Sequence, residues 1–304
     1  MAYLIKMKNI EPTSIMAVTF TRKAAKEIKD RLVYLLRDVN DVSNLKSEYS
    51  SKSVNDPIEK NKNKMEMRED KTTVTCTTLH SFCCRVLRTY SAARDFTIYD
   101  SSASRKIVKD LLKEADKGED EEGNVYSVAD VQTALSTIKR QMLKRIGYRF
   151  DDKLFEKADS ILHNYNQVVK RNNAYDYDDL ILETLKLLLK NGRAAKAMRS
   201  RYKHIFCDEW QDVDKSQYCL LLMLLDPSSR KLHFGADIDN YMMANKIYDT
   251  NSKSSTQPSK DTEYEGEGND CRTLFVVGDP KQTIFSWRGA DNRNLNYLLK
   301  DIPS

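Results

Sequence analysis

Three short apolar runs in this chain each end on polar or acidic residues, and each leads towards a helix. Ser14 to Thr21 reads S-I-M-A-V-T-F-T, His204 to Cys207 reads H-I-F-C before Asp208-Glu209, and Thr273 to Val277 precedes Gly278-Asp279. Short, continuously apolar, β-branched runs of this kind predict strands buried on both faces. Strands that alternate with helices predict a parallel α/β sheet, and such sheets bind ligands beyond the carboxyl ends of their strands.

The helical pattern between these runs is dense. Thr21 is placed to cap a helix from about Lys23 to Leu36, with Ala24, Ala25, Ile28, Leu32 and Leu36 on one face. Thr72 to Thr77 predicts another strand, and His80 to Tyr90 has helical spacing. Helical patterns dominate from Ser101 to Arg201. Ile107, Leu111 and Leu112 form one face, and Val131, Leu135, Ile138 and Met142 another; an apolar helix spans Leu180 to Leu189 behind Asp176, Asp178 and Asp179. Two polar stretches, 37–71 and 233–272, read as insertions, and acidic Lys117 to Gly123 reads as a loop between helices. The expected organisation is a sheet domain in two parts, 1–91 and 197–304, interrupted by a helical subdomain over 92–196.

Composition narrows the function classes. Nine Gly and six Pro in 304 residues disfavour a turn-dense all-β fold, and no run of 18 apolar residues offers a membrane span. Met1 to Lys8 has neither the apolar core nor the cleavage site of a secretory signal. Fifty Lys and Arg against 45 Asp and Glu give a formal charge of +5, which permits a nucleic-acid partner without arguing for one. Cys76, Cys83, Cys84, Cys207, Cys219 and Cys271 contain no C-x-x-C pair, so reduced thiols are expected rather than a zinc site or a disulfide framework.

Three stretches carry chemistry. In His204 to Asp212, H-I-F-C-D-E-W-Q-D, a strand ending in Asp208-Glu209 suits a Mg²⁺ ligand followed by an acid that orients or deprotonates water. The plain alternative is a charged turn in which Asp208 or Asp212 caps the next helix. In Val276 to Asp291, V-V-G-D-P-K-Q-T-I-F-S-W-R-G-A-D, Gln282 can reach a phosphate, and Phe285, Trp287 and Arg288 offer two rings and a cation to bases. Packing of both rings in the core is the alternative there. In Ala17 to Leu32, Arg22, Lys23 and Lys26 stand at a helix start, where cations oppose the macrodipole; an anionic partner or a solvated face would each account for them.

Taken together, these stretches resemble the superfamily 1 DNA helicases of the UvrD/Rep type. Ala17 to Leu32 is similar to motif Ia, and Thr77 to Arg88 to the next DNA-contacting motif. Tyr165 to Ile181, with Y-D-Y-D-D-L at 175–180, is similar to the block that closes the family's helical 1B domain. Asp208 to Asp212 is similar to motif II, the Walker B element, and Val276 to Asp291 to motif III. The resemblance implies a RecA-like α/β fold, Mg²⁺ and ATP as cofactors, DNA as partner, and ATP-driven unwinding with 3′-to-5′ movement in repair or recombination. It implies that Asp208 holds Mg²⁺, that Glu209 is the general base, that Gln211 belongs to the phosphate-side network and that Gln282 senses the γ-phosphate. Phe20, Thr21, His80, Phe285, Trp287 and Arg288 match positions along the single-strand track. Trp210 and Pro280-Lys281 depart mildly from the family pattern.

The larger departure is that no Gly is followed by Lys anywhere in the 304 residues, so the phosphate loop G-x-x-x-x-G-K-[ST] is missing from them. Ala2 to Ile5 resembles the tail of the helix that follows such a loop. The expectation is a fragment without that loop and without the second RecA-like domain, inactive alone. A non-catalytic single-strand-binding remnant is the second reading, and a RecB-like nuclease-helicase a third, for which no nuclease signal is found. A frame-read intron or a species-specific insertion would each explain 233–272. A nuclear location is the default expectation.

Overall fold

The computed structural model describes residues 1–36, 73–115, 126–140, 153–225, 272–283 and 298. The expected insertion at 37–71, the acidic loop, Met142, and all of 233–272 except Arg272 lie outside the described residues, as do Phe285, Trp287 and Arg288.

The described elements alternate. Helix α1 (Ala2–Lys8) precedes β1 (Ile15–Thr19), α2 (Arg22–Leu36), β2 (Thr75–Thr78) and α3 (Leu79–Tyr90). Next come β3 (Thr97–Tyr99), α4 (Ser101–Ala115), α5 (Val128–Arg140), α6 (Lys153–Arg171) and β4 (Ala174–Asp176). Helices α7 (Tyr177–Lys190) and α8 (Gly192–Arg201), strand β5 (His204–Cys207), α9 (Lys215–Leu225) and β6 (Thr273–Val276) complete the order.

Four strands form one wholly parallel sheet in the order β2-β1-β5-β6, and β3 and β4 make a separate parallel pair. The expected α/β class with a parallel, RecA-like sheet is therefore what the chain adopts. Register places the chemistry. Val18 lies opposite Cys207, Cys207 opposite Val276, and Thr19 opposite Thr78. Phe20, His80, Asp208-Glu209 and Gly278-Asp279 thus all emerge at one carboxyl edge.

Side-chain caps explain where the helices begin. Thr21 Oγ1 accepts from Ala24 N–H at 3.1 Å, and Thr78 Oγ1 from Ser81 N–H at 3.2 Å. Asp176 and Asp179 form a reciprocal capping box at the start of α7. Asp214, not Asp208 or Asp212, caps α9, accepting from Gln217 N–H at 2.9 Å. The acids of His204 to Asp212 are therefore not spent on that helix.

Three buried clusters hold the described residues, the smallest being Ile15, Leu32 and Val74, against which α1 packs. The sheet-side core contains Met16, Val18, Phe82, Leu87, Ile205 and Leu220, together with Leu180, Ile181 and Leu185 of α7. Helix α9 is buried all round, so it shows no polar face. The second core packs α4, α5 and α6 through Val108, Val131, Leu135, Ile138 and Ile161. A buried cation ties the helices to the sheet side: Lys139 Nζ lies 2.8 Å from Asp176 Oδ2 and 2.7 Å from Asp179 Oδ1. Tyr165 Oη donates to Asp176 at 2.9 Å, and Ser136 Oγ donates to Asp178. Cys76, Cys83, Cys84, Cys207 and Cys219 are free thiols, as expected of reduced cysteines.

Candidate active site at the carboxyl edge of the sheet

Asp208 leaves β5 at the centre of the sheet edge. Its backbone N–H donates to Val18 O at 3.0 Å, and its Oδ1 accepts from Glu209 N–H at 3.0 Å. Glu209 then takes a left-handed backbone, φ 53° and ψ 45°, and its side chain is exposed. A non-glycine residue in that region is strained, and such strain concentrates at functional positions. The kink starts a short 3₁₀ turn, Trp210–Asp212, that turns Gln211 back beneath the acid.

Gln211 joins the two motifs. Its Nε2 donates to Glu209 Oε2 at 2.6 Å, and its Oε1 accepts from Asp279 N–H at 3.1 Å. Asp279 passes the chain on: Oδ2 accepts from Gln282 Nε2 at 3.0 Å and Oδ1 from Lys281 N–H at 2.9 Å. The backbone supports this join, with Trp210 N–H donating to Val277 O and Val277 N–H to Cys207 O, each at 2.9 Å. Gln211 is 5% exposed, whereas Gln282 lies open to solvent. The geometry therefore brings Asp208, Glu209, Gln211 and Gln282 into one network.

Phe20 and His80 flank this network, lining a small pocket of about 20 Å³ with Asp208, Glu209 and Asp212. Asp212 Oδ1 is buried without a hydrogen-bond partner among the described residues. Burial, and then the charge of Glu209, push the Asp212 carboxyl above its usual range. Thr21 Oγ1 accepts the capping hydrogen bond of α2, as its place just before the helix predicts. Trp210 is 4% exposed and packs edge-on against Tyr218, so it is a core ring.

Sequence reasoning missed two residues. Asp279 is the hinge of the network, and only its place after Gly278 hinted at that. Tyr177 is 51% exposed, and its ring stands edge-on to His80 at a 5.8 Å centroid distance. Both rings line a larger cleft of about 800 Å³ between the sheet edge and the helices. The aromatic character of the Y-D-Y-D-D-L block was the only available signal for Tyr177.

Among the described residues no group of three or more His, Cys, Asp or Glu could hold a metal by itself. That fits Mg²⁺, which binds through one or two carboxylates together with phosphates and water rather than in an all-protein cage. Asp208 is one of the carboxylates at this edge, beside Glu209, Asp212 and Asp279.

The family model of the UvrD/REP helicase N-terminal domain matches residues 1–242 and 259–303. The chain belongs to that family. The unmatched residues, 243–258, fall inside the polar stretch 233–272. The chain is 25% identical, over 99% of its length, to the ATP-dependent DNA helicase PcrA of Staphylococcus aureus, and 26% identical to that of Staphylococcus epidermidis. It spans 32% of the length of these curated relatives. They also correct the expected nuclear location. Staphylococci are bacteria and have no nucleus, so membership of this family carries no nuclear address. No helix among the described residues is long and apolar enough to cross a membrane.

Proposed function

We propose that the chain is part of an ATP-dependent DNA helicase that moves 3′ to 5′ along a single strand in repair or recombination. The observation that carries this reading is the hydrogen-bonded chain from Glu209 through Gln211 and Asp279 to Gln282 at the carboxyl edge of a parallel sheet. It ties an acid suited to accept a proton from water to an exposed amide suited to contact a terminal phosphate. Bound Mg²⁺–ATP would supply the electrophilic phosphorus and part of the charge neutralisation. Asp208 would hold the metal. Glu209 would take a proton from the attacking water, and Gln282 would report the γ-phosphate. Phe20, His80 and Tyr177 would meet bases on one side of the strand, with Phe285, Trp287 and Arg288 continuing the track.

The absence of any Gly-Lys pair favours a narrower reading for the 304-residue polypeptide: single-strand binding without turnover. Neither the amide nest and Lys of a phosphate loop nor an arginine finger is recognised in these residues, and a finger is worth roughly 10³–10⁵ in rate in related systems. The purified polypeptide is expected to bind single-stranded DNA and to show no DNA-stimulated ATP hydrolysis. Steady hydrolysis abolished by Glu209→Gln would overturn the narrower reading and support the full one. Failure to bind single strands would overturn both.

A further inference from the structure

Cys83 and Cys84 stand side by side in α3, yet the helix turns them to different surroundings. Cys83 is buried in the sheet-side core, and burial pushes its thiol up to about 12. Cys84 is half-buried and, alone among the described cysteines, lines the larger cleft of about 800 Å³. Burial pushes Cys207 up to about 12 as well, and Cys76, which lines a neighbouring groove, up to about 11. Cys219 is buried.

A base stands one helical turn from Cys84. His80 and Cys84 are i and i+4 residues of α3, so their β-carbons lie about 5–6 Å apart, and both line the cleft. Among the described residues of that lining, His80 is the single imidazole. His80 also shares the pocket of about 20 Å³ with Asp212. Asp212 is 9% exposed, its Oδ1 has no hydrogen-bond partner among the described residues, and it lines the cleft too. Thiol, imidazole and buried carboxylate are thus gathered on one wall, the set that activates a nucleophilic cysteine. Five carboxylates against three guanidiniums give the cleft no positive field to draw out a thiolate, so the proton must go to a base.

We infer that Cys84 is a modification site for a low-molecular-weight disulfide, with His80 as its base and Asp212 positioning that imidazole. The Sγ–H proton passes to His80, and the thiolate attacks one sulfur of R–S–S–R. An S–S bond to Cys84 forms as the old one breaks, and the departing R–S⁻ takes the proton from His80. Cys84 is oxidised and the departing half of the reagent is reduced. The attached group then stands in the cleft beside His80 and Tyr177, which closes it to a DNA strand. That consequence rests on the single-strand reading above, whereas the reaction does not.

The test treats the full 304-residue chain with cystamine and follows each cysteine by peptide mass mapping. Cys84 should be the first thiol modified. His80→Ala should slow its modification about tenfold or more, and Asp212→Asn about threefold. Free imidazole should restore part of the rate in His80→Ala. A purely structural disturbance would instead speed modification of buried Cys83 and Cys207, so their unchanged rates are part of the expected result. Modified parent should bind fluorescent oligothymidylate about tenfold more weakly and recover in dithiothreitol. Cys84→Ser should melt and bind like the parent, before and after cystamine. Equal rates at Cys84 in the parent and His80→Ala, or Cys76 reacting ahead of Cys84, would overturn the activated thiol. Modification of Cys84 that leaves binding unchanged would overturn the closure and keep the single-strand reading. A parent that binds no oligothymidylate before treatment would overturn that reading, and the rates at Cys84 would still decide the thiol.

Discussion

Gln211 and Gly278 are packed so closely that position 278 has no room for a side chain. A β-carbon there would lie 2.5 Å from Gln211 Oε1, 3.0 Å from the backbone nitrogen of Trp210 and 3.1 Å from Trp210 Cβ. Gln211 cannot simply swing aside, because Glu209 and Asp279 hold it at both ends. The segment that leads from β6 to the 3₁₀ turn of Gln282 and the turn carrying Glu209 are thereby fixed at backbone distance.

Gly278→Ala is therefore expected to destabilise the chain by about 1–3 kcal/mol, the usual range for overpacking. Adding Gln211→Ala should recover part of that loss, because one crowded atom leaves while the Trp210 backbone stays. Urea denaturation of both single variants and the double variant would measure the coupling. Equal stabilities of the parent and Gly278→Ala would show that the approach is looser than described.

Strand β1 was legible because it is buried on both faces and reads as a continuous apolar run, whereas β5 and β6 were legible from their short apolar runs ending in acids although both are only partly covered. The details that position the chemistry were not. Strand β1 is shorter than its apolar run because Pro12 opens a 3₁₀ turn that absorbs Ser14, whose Oγ donates to Glu11 O at 2.6 Å, while Thr21 belongs to the next helix. Asp208, Asp212 and Asp214 are equivalent as caps on paper, and only the 3₁₀ turn between them selects Asp214. No local pattern announces the contact of Tyr177 with His80, because the two meet only through the packing of α7 on α3. The acids of motif II were readable as residues, but their linkage through Gln211 to Asp279 is a tertiary fact.

The exposed ring of Tyr177 should contribute to strand binding and little to folding. Base–aromatic stacking is worth ~1–3 kcal/mol, so Tyr177→Ala should weaken oligothymidylate binding by about tenfold or more. Its melting temperature should stay close to the parent's, as the ring is half open to solvent. A variant that binds normally would place the strand elsewhere; one that melts early would make Tyr177 a packing residue.

Stability should also depend on pH through the cluster around Lys139. Burial works to lower the Lys139 ammonium, but Asp176 and Asp179 hold it well above its ordinary value. Burial works to raise Asp176, yet Lys139 overrides it and keeps that carboxyl low. One cation cannot serve every acid. Burial, and then the charge of Asp176, push Asp179 up to about 7 and Asp178 up to about 6. An unfolded Asp titrates near ~3.9. Between that value and neutrality the folded chain holds more protons than the unfolded one, so stability falls as pH rises. The parent should therefore lose stability from pH 5 to pH 8 relative to Asp179→Asn, which keeps a capping oxygen but cannot titrate. Parallel stability–pH curves for the two proteins would count against the shift.

The left-handed backbone of Glu209 gives the most direct test that this turn is held for chemistry rather than for stability. At φ 53° a β-carbon costs about 1–2 kcal/mol, and glycine is free of that cost. Comparing Glu209→Gly with Glu209→Ala removes the carboxylate in both cases, along with its hydrogen bond from Gln211. The remaining difference is the backbone. Part of the relief is offset by the greater freedom of glycine in the unfolded chain, roughly 0.5–1 kcal/mol. The Gly variant should still be the more stable of the two by up to about 1 kcal/mol, measured by urea denaturation at fixed pH. Both should lack whatever turnover depends on the acid. If Ala is as stable as Gly, the turn relaxes out of the left-handed region once the carboxylate is gone. The strain would then be imposed by the bond between Gln211 and Glu209, and Gln211→Ala would relieve it equally well.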